Sequence, residues 1–98
     1  MQELIVILQD GFDDDDITIT VNGKEARHDR EVSTRLLIGM AEEVSVELPA
    51  KGATVGVEVN SRNLRAEKKL VGRPRSLLVS IENGKLVLRE GTGREAFL

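Results

Sequence analysis

Alternation of period two dominates the chain. Between Ile17 and Val21 the apolar set Ile17, Ile19 and Val21 faces one way and Thr18 and Thr20 the other, with β-branched side chains throughout, which predicts a strand. Val44, Val46 and Leu48 alternate with Ser45 and Glu47, and Val55, Val57 and Val59 with Thr54, Gly56 and Glu58. Leu77, Val79 and Ile81 form a further set, continued after a turn by Leu86 and Leu88. Residues 64–71 repeat the pattern with a weaker inward set, Leu64, Ala66 and Leu70. Lys68 falls on that inward face, which implies a strand end or a bulge there. The run Leu4 to Leu8 is apolar on both faces and reads as an interior strand, or as one whose second face meets another surface. Val32 to Ala41 fits either a strand or one helical turn closing an end of the molecule.

Turn residues divide these segments. Asn22-Gly23 and Asn83-Gly84 suit two-residue type I′ turns, where both central residues take positive φ. They predict hairpins joining 17–22 to 24–28 and 77–83 to 85–89. Pro49-Ala50-Lys51-Gly52 predicts a third hairpin, between 44–48 and 55–59. Gly56, inside a valine strand, suggests a bulge or the close approach of another backbone. About seven to eight short strands with no helical period predict a single domain over residues 1–98: an antiparallel β-sandwich, immunoglobulin-like or prealbumin-like, with a small closed β-barrel as the alternative. Residues 91–98 form a tail whose Phe97 and Leu98 could dock on the body.

The run "ITITVNGKEA", a strand, an Asn-Gly turn and a second strand, resembles the exposed hairpin of small accessory β-sandwiches, including the transthyretin-like modules that accompany peptidases. The resemblance favours a sandwich over a barrel. It assigns no functional residues.

Composition narrows the picture. Phe12 and Phe97 are the only aromatic residues, so the core must be aliphatic. The chain has no cysteine, which removes disulfides, thiolate metal sites and cysteine nucleophiles and fits a cytoplasmic setting. The first apolar run is too short to cross a bilayer and lacks the basic flank of a signal peptide, so no membrane association is expected. The net charge of −3 hides a division, with −8 over residues 1–60 and +5 over 61–98. Such asymmetry favours self-association or a charged partner.

The four aspartates at 13–16 are the first candidate for chemistry. Calcium takes about six to eight oxygen ligands on a curved loop. Asp10, Asp13 and Asp15 around the Gly11 turn could supply part of such a shell, helped by Asn60 and Asn63 or by Glu82 and Asn83. Alternation argues against it, because an extended chain would divide the four carboxylates between two faces, and EF-hand spacing is missing. A solvated acidic rim that keeps the adjoining "ITITV" strand from aggregating is the simpler expectation. His28, with Asp29, Ser33 and Thr34 nearby, contains the residue types of a hydrolytic triad, but no nucleophile elbow accompanies them. The basic residues Arg62, Arg65, Lys69, Arg73 and Arg75 form a candidate interaction surface. Without interleaved aromatics they do not indicate nucleic-acid binding, and the same lack disfavours a sugar platform. Leu78 and Val87, opposite the inward sets of the last hairpin, suggest an apolar patch for a partner.

The expected function is therefore non-enzymatic: protein–protein contact, with a protein partner or as a homo-oligomer, and no cofactor. A calcium-binding module using loop 10–16 and a small hydrolase using His28 are the alternatives.

Overall fold

The computed structural model describes residues 2–35, 41–72 and 74–91. Eight strands follow one another: β1 (Gln2–Leu8), β2 (Asp15–Val21), β3 (Lys24–Val32), β4 (Glu42–Leu48), β5 (Gly52–Val59), β6 (Leu64–Val71), β7 (Ser76–Glu82) and β8 (Lys85–Gly91), with a 3-10 turn at Asn60–Arg62. They form two four-stranded sheets. Sheet A has the order β4-β1-β7-β8 and sheet B the order β3-β2-β5-β6, so the molecule is a β-sandwich and neither sheet closes into a barrel.

Both Asn-Gly hairpins are present. Asn22 and Gly23 have φ of 50° and 83°, and Asn83 and Gly84 have 54° and 74°, as a type I′ turn demands. The expected β4–β5 hairpin is not. β4 pairs with β1 in sheet A and β5 pairs with β2 and β6 in sheet B, so the Pro49 turn carries the chain from one sheet to the other. The apolar run at 4–8 is interior as expected. β1 lies between β4, antiparallel, and β7, parallel, and this one parallel pair makes sheet A mixed.

The inward sets from both sheets build one core cluster that includes Leu4, Val6, Leu8, Ile17, Ile19, Val55, Val57, Leu77 and Val79. Phe12 is the only aromatic residue in it among the described residues. Neither Gly56 nor Lys68 marks a bulge, because the β2–β5 and β5–β6 registers run unbroken. A Cβ on Gly56 would lie 2.5 Å from the Thr20 Oγ1, so a neighbouring side chain, not a backbone, requires glycine there. Lys68 is half-buried in mid-strand on the inner face of β6, where the strand lies at a sheet edge and the long stem can reach solvent. The alternatives for Val32 to Ala41, and the docking of the tail, fall largely outside the described residues.

Candidate functional site

The acidic stretch is built into the end of the sandwich. Gln9 and Asp10 continue the β1–β7 pairing, with Gln9 N–H donating to the Val79 carbonyl (2.7 Å) and Ile81 N–H to the Asp10 carbonyl (2.9 Å). Gly11 then turns the chain at a φ of 91°. Phe12 is buried, and its N–H donates to Thr34 Oγ1 (3.0 Å), which itself donates to the Gln9 carbonyl (2.6 Å). Asp14 has a φ of 51° and donates its N–H to Ser33 Oγ (2.8 Å). The stretch is therefore a compact loop and not extended chain.

Asp15 is the buried member, with a side chain 2% exposed. Arg62 grips it bidentately, Nε to Oδ1 at 2.9 Å and Nη2 to Oδ2 at 2.8 Å, and Nη2 also reaches the Gly11 carbonyl at 3.0 Å. Ser61 Oγ donates to Oδ1 (2.7 Å) and the Asp13 N–H to Oδ2 (2.9 Å). Burial pushes the Asp15 carboxyl up, but the Asp13 N–H, the Ser61 hydroxyl and the Arg62 guanidinium together hold it below the usual carboxylate value. Asp16 faces outward. It accepts from Asn60 Nδ2 (2.8 Å), lies 2.6 Å from His28 Nε2 and has Arg30 Nε at 3.9 Å; the hydrogen bonds of Asn60 and His28 keep its carboxyl low.

These contacts decide how the candidate residues are used. Of the calcium set, Asp10 and Asp13 are exposed, while both oxygens of Asp15 are taken by donors. A cation there would have to displace a guanidinium. Among the described residues no group of three His, Cys, Asp or Glu side chains is placed to hold a metal ion. We therefore expect millimolar calcium to leave the thermal midpoint unchanged, whereas occupancy at a hundred times the dissociation constant would add about 2.7 kcal/mol. His28 lies beside Asp16 rather than Asp29, which instead pairs with Arg27 at 2.9 Å, and the hydroxyls of Ser33 and Thr34 serve the loop backbone. The structure does not assemble the triad types into one constellation.

The basic residues are likewise divided. Arg62 closes the acidic loop, Arg65 lies 3.7 Å from Glu58 and 3.8 Å from Glu67, and Lys69 and Arg75 are exposed. Arg73 is outside the described residues. The five do not form one surface of free cations.

The four sheet edges differ more sharply. β3 is bulged twice against β2, at Ile19/Thr20 and at Asp15/Ile17, and Glu31 takes a φ of 57°. Arg27 and Asp29, opposite the inward-facing Ile19 and Ile17, put a charge pair on its inner side. Glu42 of β4 belongs to the same mouth, where burial and the Asp29 charge raise its carboxyl. β6 carries the inward Lys68. Bulges and inward charges are the devices by which edge strands avoid pairing with other chains. β4 and β8 are unbulged, and each carries an inward charge only near one end, Glu42 opposite Leu8 and Glu90 opposite Leu77. β4 runs in unbroken register with Glu43, Ser45 and Glu47 exposed on its outer side. β8 runs in unbroken register with Leu86, Val87 and Leu88 all half-buried, three consecutive apolar residues on an edge.

Outward-facing Leu78 and Ile5 are half-buried and Ile7 is buried; Val71 is the only exposed large apolar residue among those described. On β8, Leu86 and Leu88 pack against the core from the edge and Val87 faces outward, so outward apolar residues run across sheet A on β1, β7 and β8. No described helix is long and apolar enough to cross a membrane. Comparison with family models, with curated proteins and with solved structures gives no match.

Proposed function

We propose that the chain is a non-enzymatic β-sandwich module that works through protein–protein contact, with the edge of sheet A at β8 as the contact strand. One observation carries this reading: β8 is an unbulged edge with Leu86, Val87 and Leu88 side by side and its one inward charge, Glu90, near the end, while β3 is bulged and charged along its length and β6 bears an inward lysine in mid-strand. Addition of a strand at such an edge uses backbone hydrogen bonds for affinity and alternate side chains for specificity. His28, Ser33 and Thr34 are engaged with the acidic loop and Asp29 with Arg27, which supports a structural rather than catalytic use. The strand order supports the prealbumin-like form of sandwich over the immunoglobulin-like one. An immunoglobulin domain sets its first strand beside its second, whereas β1 here lies between β4 and β7.

The test is a photo-crosslinking residue placed at position 87 of the chain in the producing cell, with position 28 on β3 as control. A protein adduct is expected from position 87 and none from position 28. Absence of an adduct from 87, or equal adducts from both, contradicts the reading.

A further inference from the structure

The two unbulged edges of sheet A complement one another. β4 and β8 point the same way, since β4 is antiparallel to β1, β7 is parallel to β1 and β8 is antiparallel to β7. A second copy displaced sideways, and by about four residues along the strands, without inversion brings its β4 alongside the first copy's β8 as a parallel pair, with the two outer faces flush. The outer residues of β8 are then Lys85, Val87 and Arg89, and those of β4 are Glu43, Ser45 and Glu47, at the same two-residue spacing. The inner residues are Leu86 and Leu88 against Val44 and Val46. In this register lysine meets glutamate, arginine meets glutamate, and leucines meet valines.

The charge content agrees. β4 carries three glutamates and no base, while β8 carries Lys85 and Arg89 against Glu90. Arg89 is held by Glu82 at 3.0 Å, but both side chains are largely exposed, 60% and 47%, so that pair is loose enough to be shared. Pairing β8 with its own copy is less favourable. Antiparallel pairing about Val87 sets Lys85 against Arg89, like charges directly opposite, which is destabilising, and pairing about Leu88 forms no ion pair.

Resting on the reading of β8 as the contact strand, we infer that its occupant is β4 of a second copy, giving head-to-tail continuation of sheet A. Such an interface is heterologous, so successive copies close into a ring or grow as a filament. Sheet B does not continue, because β3, at the corresponding edge, is bulged and charged.

The experiment is sedimentation velocity across a micromolar to millimolar concentration series with three chains: wild type, E43K/E47K and K85E/R89E. The expected result is that wild type grows in mass with concentration at low salt and loses this growth at about 1 M salt, where the screening length falls to about 3 Å. Each variant alone presents like charges at the junction and stays monomeric. An equimolar mixture restores both junctions and assembles again, which also shows that the variants are folded. A strictly monomeric wild type overturns the inference, and so does assembly of E43K/E47K alone, which would point to β8 pairing with itself. Neither result removes an adduct at position 87, so failure here is distinguishable from failure of β8 as a contact strand.

Discussion

Replacing Asp15 by alanine is expected to lower the unfolding free energy by about 2–4 kcal/mol, measured by urea denaturation, because the change strips the partner from a largely buried guanidinium pair. Asp15 gathers the Arg62 fork, the Ser61 hydroxyl and the Asp13 N–H onto one carboxylate, and so ties the loop before β2 to the turn after β5. Alanine leaves the Ser61 hydroxyl, the Asp13 N–H and Arg62 Nε without this acceptor, while Arg62 Nη2 keeps only the Gly11 carbonyl. Arg62, 36% exposed, recovers part of the loss by turning to water, which keeps the figure below that of a fully buried pair. The effect has a pH signature. The folded carboxyl titrates below its unfolded value of about 3.9, so its contribution is present above that pH and is lost as pH falls through the lower, folded value. The wild-type and D15A stabilities should accordingly differ most near neutrality and converge in acid. A D15A chain within about 0.5 kcal/mol of wild type at pH 7, the range of an ordinary surface change, contradicts this assignment.

Gly11→Ala should cost at least about 3 kcal/mol, from strain at a positive φ together with overpacking. A Cβ at Gly11 would lie 2.4 Å from the Ile81 carbonyl oxygen and 2.8 Å from the Ile81 Cβ, at a φ of 91°. The obstacle is β7 itself, which cannot yield without breaking the bond from Ile81 N–H to the Asp10 carbonyl. Gly84→Ala is the matched control. Its φ is 74° but no atom lies within 4 Å of the added carbon, so only the backbone penalty of about 1–2 kcal/mol applies. Equal losses at both positions would show that the tight seat of Gly11 against β7 does not matter.

What could be read in the sequence was local. The Asn-Gly hairpins and the strand spans were legible because two residues fix a type I′ turn and because period-two alternation marks a half-buried strand without reference to the rest of the chain. The partner of each strand was not, since the same alternation suits either sheet; this is why Pro49 to Gly52 read as a hairpin and proved to be a crossover between sheets. Loop 10–16 was misjudged for a related reason. Dividing its carboxylates by alternation assumed extended chain, and the positive φ at Gly11 and Asp14 removes that assumption. One signal was available and passed over. Asp15 shares parity with Ile17, Ile19 and Val21 and so points inward, and a buried carboxylate needs a cation. Which cation could not be read, because Arg62 lies 47 positions away. The proposed contact edges are half legible: Val87 stands out as surplus apolar surface, but the proposed use of Glu43 and Glu47 depends on β4 lying at the opposite edge of the same sheet, which only the pairing reveals.

Amide hydrogen exchange read strand by strand at low and high protein concentration measures most directly whether the sheet edges pair when molecules meet. The prediction is that amides of β8 and β4 slow as concentration rises, while those of the bulged β3 and the lysine-bearing β6 do not change. Slowing confined to β3 or β6, or no concentration dependence at any edge strand, would contradict it.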